Sequence, residues 1–346
     1  MNPPRIYLHI GRNKAGSTSL QDFFVAHHDH FAAVGTRYCL FGNRKDTVPG
    51  LLGFATPIEL AEHIRTREER TYLISNEYLF GWPQDFTRGL VAYLNDFDLR
   101  VIAYVRPYGA WVLSTYSEVV KRGEVGRDFD TYFEDFRPRI SAWQYLEGWG
   151  DALGWDRLRI RSLNPLDLFG GDLIADCLSA LDLDPALAAG APRSNCTPHW
   201  TVLELSRELV EREEETGWDD ATRRIAEPLQ VLMEDCLTRH NVRTEAYLTA
   251  KQAGWLADLY NHDIARIAEH TDVMLQPEQP DLQGRKMLPS FQHIPRVLLR
   301  ELAALASEPT FRVAHPEAAK AAARLAAEHG RKFRMKRLRE LLGYSV

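Results

Sequence analysis

The hydrophobic pattern of the first half of the chain alternates between two kinds of segment. Apolar runs with the length of buried strands occupy residues 6–10, 72–75 and 99–105, and a last short strand is predicted over 158–162. Longer segments with apolar residues at helical spacing separate them, over about 17–28, 57–69, 84–97, 108–121, 129–136, 142–153 and 173–181. Strands and helices that alternate in this way predict a parallel sheet covered by helices on both faces.

The second half of the chain shows helical periodicity alone. Beyond residue 185 the strand pattern stops, and amphipathic helices are predicted over 199–216, 221–240, 245–270, 294–306 and 316–342. Residues 36–56 combine a short apolar piece with several glycines and predict a loop or a short strand. We therefore predict an α/β core over residues 1–200 and a helical C-terminal region over residues 201–346, packed on the core or extending it.

A glycine-bounded loop joins the first predicted strand to the first predicted helix. Gly11 and Gly16 frame this loop, and Ser17 opens the helix. Such an order leaves unpaired backbone N–H groups at a helix N-terminus, which is a typical binding site for phosphate. The two glycines have the spacing of a nucleoside-triphosphatase loop, but Ser17 stands where that loop has its lysine, and Lys14 lies two residues before the second glycine. The sequence predicts a phosphate site of another kind.

The residues of this loop resemble those of a known family. Asn13-Lys14-Ala15-Gly16-Ser17-Thr18 is similar to the 5′-phosphosulfate loop of the sulfotransferases that use PAPS (3′-phosphoadenosine 5′-phosphosulfate). That loop is usually Pro-Lys-Thr-Gly-Thr-Thr, so this chain departs from it at the proline and the first threonine. A second likeness lies after the strand at 99–105, where Arg106 and Ser114 have the eight-residue spacing of the family's pair for the 3′-phosphate of PAPS.

The resemblance implies a fold, a donor and a set of binding residues. The implied fold is a three-layer, P-loop-like α/β architecture with a central parallel sheet. The implied donor is PAPS, with PAP as the product and no required metal. Residues 193–197 also resemble an Asn-x-Ser turn that approaches the nucleotide in bacterial members. The implied nucleotide-binding residues are Arg12, Asn13, Lys14, Ala15, Gly16, Ser17, Thr18, Ser19, Arg106, Ser114, Arg193 and Asn195.

Sulfuryl transfer also needs a cation beside the leaving phosphate and a base for the acceptor. Lys14 is the candidate cation. Glu77 directly follows a predicted buried strand, at the sheet edge where ligands bind, and is the candidate base. Several carbohydrate sulfotransferases use a glutamate there, which the resemblance extends to Glu77. His9, inside the first strand, is the rival base, although a histidine in that position is more often a core residue.

The acceptor and the alternatives follow from the same residues. We expect a hydroxyl or amine on a carbohydrate or glycolipid, because the aromatic residues at 72–82 and 129–155 suit stacking on sugars and a glutamate base suits a carbohydrate hydroxyl. Lipid, phenol and peptide tyrosine acceptors stay open. A P-loop kinase or NTPase would share the fold, but it would carry a lysine after the second glycine and an aspartate at the end of a neighbouring strand. A noncatalytic nucleotide- or glycan-binding protein is the other class that stays open.

Composition restricts the expected binding partners and the expected cellular compartment of the protein. The 346 residues carry a net charge of −6, which disfavours general nucleic-acid binding. Four scattered cysteines without a recognised zinc spacing predict neither a disulfide framework nor a metal site. No apolar run reaches the length of a membrane span, so we expect a cytoplasmic protein. The basic helix over 318–346 is compatible with a peripheral membrane contact or with a solvated surface.

Overall fold

The sheet is the central element of the computed structural model, which describes residues 3–41, 52–54, 56–66, 70–122, 124, 128–189, 200–208, 220–240, 248–280 and 296–341. Its strands are β1 (Arg5–His9), β2 (Thr36–Phe41), β3 (Leu52–Phe54), β4 (Thr71–Ser75), β5 (Asp98–Val105) and β6 (Leu158–Ser162). They lie in the order β3-β2-β4-β1-β5-β6, and every adjacent pair is parallel. The predicted α/β class with a central parallel sheet is confirmed.

Helices occupy most of the remaining described chain. Their bounds are α1 (Ser17–Ala26), α2 (His28–Ala33), α3 (Pro57–Arg65), α4 (Gln84–Tyr93), α5 (Tyr108–Lys121), α6 (Phe129–Phe136), α7 (Trp143–Leu153), α8 (Leu173–Ala180), α9 (Trp200–Glu208), α10 (Asp220–Arg239), α11 (Ala250–His270), α12 (Arg296–Ser307), α13 (Pro309–Ala314) and α14 (Pro316–Leu341). Side-chain N-caps at Thr56, Asp128 and Asp172 fix the first turns of α3, α6 and α8 by accepting backbone N–H groups.

Strand β1 lies at the centre of the sheet and is apolar on both faces. Leu8 is in register with Ile74 of β4 and with Val101 of β5. Successive side chains of a strand point to opposite faces, and both Tyr7 and Leu8 are at most 3% exposed. Helices therefore cover both faces of the sheet, which gives the predicted three layers.

One of these faces fixes the position of α1. Phe24 of α1 and Phe31 of α2 pack edge to face, with ring centroids 5.8 Å apart. Both belong to one buried cluster with Tyr7 and Tyr104 of the sheet and Leu178 of α8. Because this face of α1 is buried against the strands, the N-terminus of the helix is held at the carboxyl end of β1.

The chain folds into two compact units. The first unit contains the sheet and comprises Met1–Trp111, Pro138–Asn195 and Gly254–Pro280. The second unit comprises Val112–Arg137, Cys196–Ala253 and Asp281–Val346, and its described residues contain helices and no strand. It has its own core, built by α9, α10 and α12 to α14. The single boundary predicted at residue 200 stays a prediction.

The structure adds elements that the pattern did not define. The segment predicted as loop or short strand contains β2 and β3, and β2 buries Tyr38, Cys39 and Leu40. The helix predicted over 17–28 ends at Ala26, and the separate short helix α2 follows it. Helix α13 was also missed, because its six residues are too few to show a period.

The predicted basic C-terminal helix is present as α14. Its N-terminal part packs Ala318, Ala322 and Leu325, among others, into the core of the second unit. Its side chains are described up to residue 329, so contact of the basic end with a membrane stays a prediction. Among the described residues, no helix combines the length and the apolarity that crossing a membrane requires.

A buried carboxylate ties α8 to β5 and β6. Asp176, with an exposed fraction of 0%, accepts hydrogen bonds from the Tyr104 hydroxyl at 2.6 Å, from Arg161 Nε at 3.0 Å and from the backbone N–H of Phe169 at 2.9 Å. The second guanidinium nitrogen of Arg161 also binds this carboxylate. Such a group is tolerated in the core because its oxygens are directed at several donors.

Replacing Asp176 by alanine should lower the free energy of unfolding by about 3–5 kcal/mol, because the Arg161 charge and the Tyr104 hydroxyl lose their partner. Urea denaturation measures this change. Asp151→Ala on the exposed side of α7 is the matched control and should change the free energy of unfolding by less than about 0.5 kcal/mol. Equal effects of the two substitutions would contradict the structural role of Asp176.

Candidate functional site

The loop between β1 and α1 has an unusual backbone. The N–H of Ala15 donates to the Arg12 carbonyl at 2.9 Å, which closes a tight turn. Lys14 has φ 61° and Gly16 has φ 79°, so both lie in the left-handed region. Gly16 is the N-cap of α1, and within the described part of the chain no side chain caps the first turn of that helix. The first turn of α1 therefore lacks a side-chain cap, and binding of an anion by its N–H groups stays a prediction.

Side chains bound to the loop carbonyls hold it in this conformation. Trp111 Nε1 donates to the carbonyl of Asn13 at 2.8 Å, and Arg106 Nη1 donates to the carbonyl of Lys14 at 2.9 Å. Arg106 directly follows β5, the neighbour of β1, so the order of the strands brings it to the loop. Burial lowers the pKa of Arg106, but the side chain keeps its charge at neutral pH.

Arg12 supports the loop from inside the protein. Its Nη2 donates to the carbonyls of Arg139 at 2.9 Å and Ile140 at 2.6 Å, and its guanidinium lies 3.3 Å from the ring centroid of Trp111. Burial lowers the pKa of Arg12 to about 10. The predicted role of Arg12 in binding the nucleotide stays a prediction, while the contacts in the structure position the loop.

His9 is buried beneath the loop and is held by a polar chain. Its Nδ1 lies 2.8 Å from Ser75 Oγ, which accepts a hydrogen bond from Gln21 Nε2 at 3.2 Å. Because Gln21 donates to the hydroxyl, the hydroxyl can donate its own hydrogen to Nδ1 of His9. We therefore assign the ring proton to Nε2 from the hydrogen-bond network. Burial lowers the pKa of His9 to about 4, so the ring is neutral at neutral pH.

Two buried polar atoms flank Gly11. Nε2 of His9 and Oγ of Ser17 have no hydrogen-bond partner among the described residues. A Cβ atom on Gly11 would come within 2.7 Å of His9 Nε2 and 2.6 Å of Ser17 Oγ, so only glycine fits between them. Buried polar atoms without a partner are rare in folded proteins. An anion oxygen at the loop is a suitable acceptor for both, so the residues present fit a phosphate group.

Glu77 lies at the same edge of the sheet. It opens a short 3-10 turn that immediately follows β4, and it is half-buried. The N–H of Asn76 donates to the carbonyl of His9 at 2.9 Å, which keeps the end of β4 beside the end of β1. The Asn76 side chain caps the turn by accepting the N–H of Tyr78 at 3.0 Å. The predicted base thus follows the strand adjacent to the loop strand.

The N-terminus of α5 is already occupied by a carboxylate of the same chain. Glu278 accepts the backbone N–H of Tyr108 at 2.8 Å and that of Gly109 at 3.1 Å. The side chain of Asn261 on α11 binds the backbone N–H and carbonyl of Glu278, at 2.8 and 3.0 Å. Burial raises the pKa of Glu278, and the two backbone N–H groups oppose this shift. Two N–H groups in the first turn of α5 are therefore already bound within the chain, whereas no side chain among the described residues caps the first turn of α1.

The remaining predicted residues fall into three groups. Asn13, Lys14, Ala15, Thr18 and Ser19 all lie in the loop or the first turn of α1, with Ala15 buried and Asn13 and Thr18 exposed. Ser114 lies on α5 beyond Trp111 and belongs to the second unit, so its pairing with Arg106 stays a prediction. Arg193 and Asn195 lie outside the described residues.

Sequence reasoning missed four residues that shape the site. Trp111 and Glu278 form hydrogen bonds with backbone groups, and a sequence pattern does not show which side chain binds a given backbone group. Ser75 and Gln21 were recoverable in part. Gln21 follows Ser17 by one helical turn on the buried face of α1, and a polar pair on a buried face indicates a buried hydrogen bond.

Comparison with known proteins finds similar structures but no match to the sequence. No protein-family model matches the chain, and no curated protein matches its sequence. A sulfotransferase from Alicyclobacillus acidocaldarius is similar in structure, with 16% identity and a TM-score of 0.37, over 59% of this chain and 89% of its own. The mouse sulfotransferase SULT7A1 complexed with PAP matches with 11% identity and a TM-score of 0.40, over 78% of this chain and 89% of its own. Identity this low does not define the chemistry of the site, which rests on the residues of this chain.

The buried His9 should make stability depend on pH. Below pH 6.5 the unfolded chain binds a proton at this histidine, whereas the folded chain does not until about pH 4. As the pH falls from 6.5 to 4, the free energy of unfolding of the wild type should decrease by about 3 kcal/mol more than that of His9→Gln. Urea titrations of both proteins at pH 7 and pH 4 measure the difference. His30→Gln, at an exposed position on α2, should keep the wild-type slope; a wild-type slope in His9→Gln would disprove the burial effect.

Proposed function

We propose that this protein is a PAPS-dependent sulfotransferase that transfers a sulfuryl group to a hydroxyl or amine of a carbohydrate or glycolipid and releases PAP. The observation that carries this proposal is the loop between β1 and α1. Its carbonyl oxygens at Asn13 and Lys14 are bound by Trp111 and Arg106, and two buried polar atoms without a partner among the described residues flank Gly11. A loop so arranged is suited to a phosphate, and Lys14 lies within it.

The donor would be held mainly by backbone and hydroxyl groups. The first-turn N–H groups of α1, with the hydroxyls of Ser17 and Thr18, would bind the 5′-phosphate. Nε2–H of His9 would donate to the same anion from beneath the loop. Arg106 would supply the positive charge for the 3′-phosphate, with Ser114 as its predicted companion. When bound, the donor supplies an activated sulfuryl group with a phosphate as its leaving group.

Glu77 and Lys14 would divide the chemistry between them. Glu77 accepts the proton of the acceptor hydroxyl while the acceptor oxygen forms its bond to sulfur. The bond between sulfur and the phosphate oxygen breaks in the same displacement, and Lys14 stabilises the negative charge that develops on that oxygen. Positioning by the rigid loop supplies the remaining acceleration. Atoms and charge balance, because the acceptor loses a proton and the phosphate gains the electron pair.

His9 suits the role of a fixed donor better than that of the base. Its pKa of about 4 makes it a weak proton acceptor at neutral pH, and its Nδ1 is engaged by Ser75. A neutral ring with its proton on Nε2 can donate to an anion without adding a buried positive charge. Glu77 is therefore the base in this proposal, and His9 is a binding residue.

Donor recognition is tested by calorimetry with PAP, AMP and ATP with Mg²⁺. We expect PAP to bind much more tightly than AMP. Arg106→Ala should weaken PAP by about 10–100-fold, the value of a charge-assisted contact, and it should weaken AMP less, because AMP loses only the support that Arg106 gives to the Lys14 carbonyl. Arg88→Ala, at an exposed position on α4, is the matched control and should bind PAP normally. A preference for ATP with Mg²⁺, or equal binding of PAP and AMP, would overturn the PAPS assignment and favour a kinase or NTPase.

Turnover is tested by following PAP release from PAPS in the presence of a panel of glycan, glycolipid and phenol acceptors. Lys14→Met should lower kcat by about 10²–10³-fold, because the leaving phosphate loses its cation. Glu77→Gln should lower kcat by at least the same factor as Lys14→Met, and it should leave the affinity for PAP unchanged. His9→Gln should mainly weaken donor binding. Normal PAP binding without acceptor-dependent release would identify a noncatalytic nucleotide-binding protein.

A further inference from the structure

The second unit contains a group of three potential metal ligands. Cys236 of α10, His240 at its C-terminal end and Glu301 of α12 each present one ligand atom, and these atoms all lie within 4.8 Å of one another. Among the described residues this is the one such group of histidine, cysteine and carboxylate side chains. We propose that Cys236, His240 and Glu301 bind a zinc ion that stabilises the packing of α10 on α12.

The first two ligands are placed by one helical turn. His240 follows Cys236 by four residues, and the N–H of His240 donates to the carbonyl of Cys236 at 3.1 Å, so the helical geometry continues to the histidine. Residues four apart lie on the same face of a helix. The thiol and the imidazole are therefore neighbours on the side of α10 that faces α12.

The third ligand is placed by the core of the second unit. Leu298 and Leu302 of α12 are at most 1% exposed and belong to the same buried cluster as Cys236. Glu301 lies beside Leu302 on this helix and is half-buried, at the margin of the cluster. Because the leucines fix α12 against α10, the Glu301 carboxylate is presented to the thiol by packing rather than by a flexible loop.

The distances and the burial suit a zinc site with one open position. Zinc ligand bonds of about 2.0–2.3 Å put the ligand atoms of a tetrahedral site roughly 3.4 Å apart, which side-chain rotation can reach from the present spacing. The thiol is buried, the carboxylate half-buried and the imidazole exposed, so the fourth position would face water. Thiolate, imidazole and carboxylate together favour zinc over magnesium or calcium, which prefer oxygen ligands alone.

The local charges agree with a cation at this place. Arg239 lies 3.6 Å from Glu301 but also forms a closer pair with Asp235 at 2.8 Å, so the arginine keeps a partner when Glu301 turns to a metal. A divalent ion binds the thiolate form of a cysteine, and it would give the half-buried Glu301 carboxylate a counter-charge.

Cobalt is the probe that tests the site on the full chain without an affinity tag. After treatment with a chelator, the wild type should bind Co²⁺ at a ratio of 1:1, with a thiolate-to-cobalt charge-transfer band in the near ultraviolet and the intense visible bands of tetrahedral cobalt. Zn²⁺ should displace the cobalt and raise the Tm. Cys236→Ser should abolish the charge-transfer band, and Cys177→Ser, which alters a buried thiol in the first unit, should leave it intact.

His240→Asn keeps the test decisive if the buried cysteine cannot be replaced without loss of folding. The imidazole is exposed, so this variant should fold normally and bind Co²⁺ at least about 10-fold more weakly. His315→Asn, at another exposed histidine of the same unit, should bind as the wild type does. No stoichiometric Co²⁺ binding by the wild type, or equal binding by the wild type and His240→Asn, would overturn the proposal. Neither result depends on sulfotransferase activity.

Discussion

A backbone loop that offers its N–H groups to a ligand must satisfy its carbonyl oxygens elsewhere, and the first unit is built around that constraint. Trp111 and Arg106 bind the carbonyls of Asn13 and Lys14, so the peptide groups of the loop are turned with their N–H sides away from these two side chains. Arg12 then fixes the start of the loop to the backbone of residues 139 and 140. Trp111 belongs to α5, Arg106 follows β5, and Arg12 belongs to the loop itself. The loop is therefore anchored to the end of β5, to the start of α5 and to the backbone before α7. A loop anchored in this way would need little ordering when it binds a ligand.

Burial lowers the pKa of two basic side chains at this loop, but it leaves them in different charge states at neutral pH. Desolvation disfavours the charged form of both His9 and Arg12, and it lowers both pKa values, to about 4 and about 10. The two side chains start from reference values roughly six units apart, so at neutral pH the arginine stays charged and the histidine does not. The result is one fixed positive charge and one neutral donor.

The sequence indicated the order of elements because most of them are long and strongly periodic. The bounds predicted for α5, α6 and β6 are those observed. Pro107 and Asp128 mark the starts of the two helices, and apolar and polar residues alternate along β6. The strands β2 and β3 were not separated because glycines and polar residues obscure a short buried run. The loop and Arg106 could be located from motif spacing, whereas the partners Trp111 and Glu278 could not. Their contacts join residues that are far apart in the chain, and the spacing of residues within a motif does not predict such contacts. The proposed zinc ligands Cys236 and His240 were missed for another reason. Residues four apart are neighbours only on a helix, and the third ligand, Glu301, lies on another helix far along the chain.

The central position of β1 makes the loop depend on contacts between distant parts of the chain. Residues of β1 pair with residues 66 and 93 positions further along, and the side chains that bind the loop carbonyls follow at separations of 92 and 98. Arg12 of the loop donates to the carbonyl of Ile140, at a separation of 128. Contacts between residues so far apart form slowly during folding, because the entropy of closing the intervening chain is lost before the contacts form. The loop can therefore reach its observed conformation only after β4, β5 and the segment at residues 139–140 have come together around it.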